Sequence, residues 1–210
     1  MINFSTYKCL LWDFDGVLMD SMPVRDEGFK HVLAQYPKEQ VDQLMVYHRI
    51  NGGLSRYVKF RYFFEVIRKE SITEEQVQAM AAEFSTVMKR LLLNEQLLIR
   101  DSLDFVRRKY QDVPMHIVSG SDGVELNMIC RSLKLDHYFV SIHGSPTPKN
   151  QLVAEVLAKH QYDPAKTVLI GDSINDHQAA VANGIDFIGY NNPEFDHNGF
   201  HYVQSFSTVS

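Results

Sequence analysis

Tyr7-Lys8-Cys9-Leu10-Leu11-Trp12-Asp13-Phe14-Asp15-Gly16-Val17-Leu18 is the stretch on which the fold turns. From residue 7 to residue 14 it is almost continuously apolar, the pattern of a strand buried on both faces of a parallel sheet rather than of a half-solvated one. It closes on two carboxylates and a glycine that permits a sharp turn. Side chains in extended backbone repeat every two residues, so Asp13 and Asp15 can both face one pocket beyond the strand end. Cys9, inside the apolar run, reads as core packing.

Similar runs recur downstream. Residues 114–118 lead into Ser119-Gly120-Ser121, residues 138–142 into His143-Gly144, and residues 167–170 into Gly171-Asp172, with a fifth run at 185–190. Amphipathic stretches with apolar positions three and four apart, such as 123–133 and 151–160, lie between them. Strand and helix therefore alternate, which predicts an α/β fold: a three-layer, Rossmann-like core with a parallel sheet and helices on both faces. In such sheets the chemistry collects beyond the C-terminal strand ends, where the polar clusters fall. Residues 19–96 break the alternation with long helical patterns and no buried strand. The expected organisation is a core built from 1–18 and 97–210 around a helical insert at 19–96. Leu91-Leu92-Leu93 and Leu97-Leu98-Ile99, at the insert's end, read as helix packing.

Composition narrows the function. With 45% hydrophobic and 22% charged residues among 210, and no low-complexity tract, the chain is an ordinary globular one. A formal charge of −5 argues against nucleic acid or anionic lipid as partner, so an anionic ligand must meet local positive charge. Cys9 and Cys130 alone make neither a disulfide framework nor a zinc site. The start Met1-Ile2-Asn3-Phe4-Ser5-Thr6-Tyr7-Lys8 lacks the features of a signal peptide, and no apolar run approaches a membrane span. The expected setting is the reducing cytoplasm; the oligomeric state stays open.

Three further clusters add to the Asp13-Phe14-Asp15-Gly16 turn. Ser119, with Gly120 beside it, offers a hydroxyl and exposed backbone N–H groups to phosphate oxygens, though alone it reads as a turn. Lys149, after Pro146-Thr147-Pro148, can neutralise transition-state charge, though alone it reads as a solvated lysine. Gly171-Asp172-Ser173-Ile174-Asn175-Asp176 is a second acidic loop, able to complete an oxygen site for a hard cation.

These four features in this order, each after an expected strand, resemble the haloacid dehalogenase superfamily of phosphatases and phosphomutases, and the insert occupies the position of that family's cap. The resemblance implies Asp13 as nucleophile, forming an aspartyl-phosphate, and Asp15 as general acid and base. It implies Ser119, Gly120 and Lys149 as phosphate-binding groups. It also implies Mg2+ held by the Asp13 carboxylate, the Asp15 main-chain carbonyl and Asp172, with Asp176 fixing a metal-bound water or, alternatively, with Asp176 or Asn175 serving a helix N-terminus.

In the insert, Arg49-Ile50-Asn51-Gly52-Gly53-Leu54-Ser55-Arg56 interrupts two helical patterns and reads as a loop or helix junction. It is similar to the cap loop of the β-phosphoglucomutase-like and phosphoglycolate phosphatase-like branch, which implies that Arg56 binds a second anionic group of the substrate. The alternative for Arg56, and the reading adopted for Arg49, Lys59 and Arg61, is a solvated helix face. Phe60, Tyr62, Phe63 and Phe64 read as insert core. The histidine that follows the hinge in the mutases falls on Arg25 here, and Gly171-Asp172 stands where the mutases carry Glu-Asp; both favour hydrolysis over mutation. Asp15 itself argues against a dehalogenase or phosphonate-cleaving relative. The expectation is a phosphatase of a small phosphorylated metabolite, a sugar phosphate or a short phosphorylated acid, with a phosphomutase or a catalytically silent binding protein as alternatives.

Overall fold

The computed structural model describes residues 3–209; Met1 and Ile2, with which the N-terminal reading begins, and Ser210 lie outside the described residues. Six strands, β1 (Cys9–Trp12), β2 (Met115–Asp122), β3 (Ser141–Ser145), β4 (Thr167–Gly171), β5 (Asp186–Tyr190) and β6 (Tyr202–Val203), form one sheet in the order β3-β2-β1-β4-β5-β6. All pairings are parallel. β1 sits between β2 and β4, with Leu10 opposite both Met115 and Val168. The strand order reverses there, and the crevice at such a switch point is where open α/β sheets bind ligands.

The apolar runs locate β1, β4 and β5. β2 differs: it continues through Ser119-Gly120-Ser121 to Asp122, and its register against β3 shifts between Val118 and Asp122. β3 starts at Ser141, three residues later than the run suggested, because Asp136–Tyr138 form a 3-10 turn with Phe139 buried beside it. β6 has only two residues and no periodicity to announce it.

Nine α-helices accompany the sheet among the described residues: α1 (Met22–Val32), α2 (Lys38–Ile50), α3 (Arg56–Tyr62), α4 (Glu74–Leu91), α5 (Arg100–Lys109), α6 (Gly123–Ser132), α7 (Lys149–His160), α8 (Ile174–Ala182) and α9 (Pro193–His197). The first five lie between β1 and β2 in the chain, four of them within residues 19–96, and a π-helical turn, Phe63–Arg68, prolongs α3. The junction read at residues 49–56 is a turn between α2 and α3, and Ser55 Oγ accepts the Val58 N–H to start α3. Thr73 and Gln76 close a reciprocal capping box on α4.

Phe29 organises the insert, its ring 4.6 Å from Phe84 and 5.3 Å from Phe60. Phe60, Phe63 and Phe64 are buried, and half-buried Tyr62 stacks on Tyr47 at 3.6 Å, as the core reading requires. Under the sheet, Trp12 packs on Phe105 and Phe206, and Cys9 is fully buried in the other face's core. Leu92 is buried, whereas Leu93 is exposed and takes no part in the expected helix packing. The chain leaves and re-enters the core side by side: Met19 bridges antiparallel to Leu98, the Asp20 N–H donates to the Leu97 carbonyl (2.7 Å) and the Ile99 N–H to the Leu18 carbonyl (3.0 Å). No described helix is long and apolar enough to cross a membrane.

Candidate active site

Asp13 stands one residue beyond β1, and its N–H still bonds the Ile170 carbonyl at 2.9 Å, so the sheet fixes its position. One carboxylate oxygen accepts the Phe14 N–H (2.7 Å) and lies 3.0 Å from Lys149 Nζ. Three residues on, Gly16 has a φ of +75°, and a Cβ there would sit 1.9 Å from Asp172 Oδ2. Glycine is required both by the backbone and by its neighbour. The loop after β5 supports both turns: Asn191 Nδ2 donates to the Gly16 carbonyl (2.9 Å) and Asn192 Nδ2 to the Asp172 carbonyl (2.7 Å).

Asp13, Asp172 and Asp176 can each offer a carboxylate oxygen, all within 4.8 Å of one another. Lys149, the first residue of α7, is buried and pairs with Asp13 and Asp176. Asp176 also accepts from the Ser173 N–H (3.0 Å) and hydroxyl (2.6 Å), so it serves the N-terminus of α8 as well as the cluster. Three carboxylates here share one ammonium. Burial, reinforced by Asp176, pushes Asp13 up to about 7 against the pull of Lys149. Burial and the Asp13 charge likewise hold Asp172 well above the usual carboxylate range. Lys149 is held above its ordinary value: burial opposes its charge, but the Asp13 and Asp176 carboxylates outweigh it. An all-oxygen donor set short of positive charge fits a hard divalent cation.

Asp15 has a separate environment. One oxygen accepts from Arg25 Nε (2.7 Å) and the Ser21 hydroxyl, the other from the Ser121 hydroxyl. Burial would raise its pKa, yet the Arg25 guanidinium and these hydrogen bonds overcome that and hold it below the ordinary value. Arg25 also reaches Glu125 in the first turn of α6 (3.2 Å).

Ser119 is buried and its Oγ accepts the Ser121 N–H (3.1 Å). The insert's turn covers this loop: a Cβ on Gly120 would lie 2.2 Å from the Gly53 carbonyl oxygen, and one on Gly53 would lie 2.8 Å from Ser173 Oγ and 3.4 Å from Lys149 Nζ. Beside Asp15 and Gly120 a space of about 20 Å³ remains. A wider cleft of about 950 Å³, reached past Met22 and Arg49, borders Asp172 and Asn192.

The structure thus brings Asp13, Asp15, Ser119, Gly120, Lys149, Asp172 and Asp176 to one end of the sheet. Arg56 reaches the same region but is engaged there: its guanidinium makes a bidentate pair with Glu125 (2.8 and 2.7 Å), donates to Ser85 and stacks 4.5 Å over Phe84. Arg49 and Arg61 are solvated as read, Arg61 pairing with exposed Glu74 and Arg49 reaching in from the surface to buried Asp26. Lys59 departs from that reading, with only 2% of its surface exposed. Ser21, Ser121, Glu125, His48, Asn191 and Asn192 were not singled out as site residues. The spacing of Lys59, three residues after Arg56 on one helix face, was the available signal.

The family model for haloacid dehalogenase-like hydrolases matches residues 10–190, and the chain belongs to that family. It is a hydrolase of the phosphatase kind. Among its relatives are a phosphorylated carbohydrates phosphatase of Thermotoga maritima, 27% identical over 86% of this chain and 83% of that one. The fructose-1-phosphate phosphatase YqaB of Escherichia coli is 24% identical over 88% and 97%. The fold is shared with CbbY of Rhodobacter sphaeroides, solved with xylulose-1,5-bisphosphate, at a TM-score of 0.77, 14% identity and 96% coverage of each chain.

Proposed function

We propose that this phosphatase is Mg2+-dependent and hydrolyses a small phosphorylated metabolite, a sugar phosphate or a short phosphorylated acid, through an aspartyl-phosphate on Asp13. The observation that carries the reading is the division of labour between two neighbouring acids: Asp13 lies against Lys149 in the carboxylate cluster, whereas Asp15 is held by Ser21, Arg25 and Ser121. The named activities of the relatives, on phosphorylated carbohydrates and fructose 1-phosphate, support the substrate class.

In the first displacement an Asp13 oxygen bonds to phosphorus as the ester P–O bond breaks, and Asp15, held as a carboxylate by Arg25, first takes a proton from solvent and then passes it to the departing oxygen. In the second, Asp15 takes a proton from water, whose oxygen bonds to phosphorus as the Asp13–phosphorus bond breaks. Lys149, Ser119 and the backbone at Gly120 hold the phosphate oxygens. The Asp13 and Asp172 carboxylates and the Asp15 carbonyl would hold the cation, with Asp176 behind them; when bound it offsets the repulsion between a carboxylate and a phosphate dianion. The covering turn at Gly53 keeps bulk water from Asp13. Hydrolysis is favoured over phosphoryl return because position 171 has no room for a second acid: a Cβ there would lie 2.4 Å from Asp176 Cγ. Two buried free cysteines suit a cytoplasmic setting.

Phosphate release from sugar phosphates, phosphoglycolate and nucleotides, with Mg2+ or chelator, for wild type and Asp13→Asn, tests the proposal. Mg2+-dependent release that the substitution abolishes is the expected result. Release that survives either chelation or Asp13→Asn sinks the mechanism, and none from any ester sinks the activity.

A further inference from the structure

Lys59 is a buried cation without a carboxylate. Its Nζ makes one hydrogen bond, to the Gly52 carbonyl at 3.2 Å, and no ion pair among the described residues. His48, 1% exposed, leaves both ring nitrogens without a hydrogen bond; its nearest acid, Asp26, is 3.6 Å away. Arg25 uses Nε on Asp15 and Nη1 on Glu125 but leaves Nη2 unpaired. These groups come from three helices, α3, α2 and α1, and line the same small space beside Asp15, Gly120 and Ser121. Buried donors without acceptors are costly unless a ligand or water completes them.

We propose that Lys59, His48 and Arg25 form a subsite in the insert that binds a carboxylate of the substrate, at the opposite end from the phosphate held at Asp13. The assignment rests on the phosphatase reading for where that phosphate lies. Charge selects an anion: Arg25, Arg56 and Lys59 face only Asp15 and Glu125, leaving one positive charge unmatched. Size favours the smallest anionic group: with the Gly53 turn closed on Gly120 only about 20 Å³ is open, little more than a water molecule, so a planar carboxylate enters with a small shift of the insert, whereas a second phosphate or a sugar ring needs a larger one. Burial, with the Arg25 charge, holds Lys59 down to about 7 against the pull of Asp15, with Lys149 and Asp13 as its other charged neighbours; an anion alongside restores its charge. Arg56, satisfied by Glu125, orients the pocket rather than filling it.

The probe pair is 2-phosphoglycolate and ethyl phosphate, which differ by a carboxylate in place of a methyl group. Calorimetry with the Asp13→Asn protein, with Mg2+ and without turnover, is expected to show phosphoglycolate binding roughly tenfold or more tightly than ethyl phosphate. Adding Lys59→Met is expected to erase that preference; Lys59→Gln replaces it where Met fails to fold. No preference in the parent, or equal weakening of both ligands by the Lys59 substitution, overturns the subsite, the latter placing Lys59 on the transferred phosphate instead. Turnover of the same compounds by wild type is read separately: a retained carboxylate preference without phosphate release removes the hydrolytic reading and leaves the subsite standing.

Discussion

Two clusters separated by two residues of chain, one around Asp13 and one around Asp15, have opposite electrostatic deficits. At the strand ends, Asp13, Asp172 and Asp176 share Lys149, and the site lacks positive charge. Towards the insert, Arg25, Arg56 and Lys59 share Asp15 and Glu125, and the site lacks negative charge. The same side chain is accordingly driven in opposite directions: burial takes Asp13 up to about 7, while Arg25 overcomes burial and holds Asp15 low. Environment, not residue type, sets the two carboxylates apart. One deficit suits a cation and the other an anion, so a magnesium ion and an acidic substrate would complete the two sides separately.

The sharpest way to break this contrast is to neutralise each acid in turn. Asp13→Asn is expected to lower turnover roughly a thousandfold or more, with a melting temperature no lower than wild type, because it relieves a crowded cluster. Asp15→Asn is expected to lose both, since Arg25 is left without its carboxylate. Equal melting temperatures for the two variants would show that the clusters do not differ as described.

Glu125→Gln comes next. Among the described residues it removes the only carboxylate that Arg56 meets and one of two that Arg25 meets, and a broken buried pair costs about 3–5 kcal/mol. Urea unfolding reads it, and a loss under about 1 kcal/mol would mean that water enters the pocket. Gly16→Ala acts on the other side, where the new Cβ meets Asp172. Magnesium affinity measured by calorimetry is expected to fall roughly tenfold, with a folding cost of about 1–3 kcal/mol from the left-handed backbone.

The smallest effect lies outside both clusters. Buried His116 bonds Ser141 and Tyr162, and burial holds it down to about 4. A histidine kept neutral by the fold contributes fully above its unfolded value near 6.5 and loses that contribution as pH falls towards 4. The urea midpoint of wild type should therefore drop between pH 6.5 and 4, and His116→Asn should flatten that slope while leaving the metal response unchanged.

The strand-end cluster was legible because its signals are local: an apolar run, then an acid pair and glycine, recurs in recognisable form before Asp172. The insert-facing cluster was not, because its partners are distant in the chain. Lys59 reads as one charge of a run until α3 is seen to line the same small space as Asp15, and Glu125 carries no signal of its own until Arg25 and Arg56 close on it. Strand ends show the same limit. Serine and glycine at 119–121 suggest a turn, yet pairing with β3 across an irregular register carries the strand on to Asp122. Tyr138 and Phe139 extend an apolar run whose hydrophobicity serves a 3-10 turn, not a strand.

The pairing of Met19 with Leu98 means that the helices between them begin and end at one point. Topologically they are a single long loop, and the entropy of closing a loop grows only with the logarithm of its length. The sheet's connectivity would be untouched if a short turn joined those two positions. The carboxylate cluster around Asp13 is therefore separable from the insert, whereas Asp15 is not: a transplanted set of helices would have to bring its own equivalents of Ser21 and Arg25.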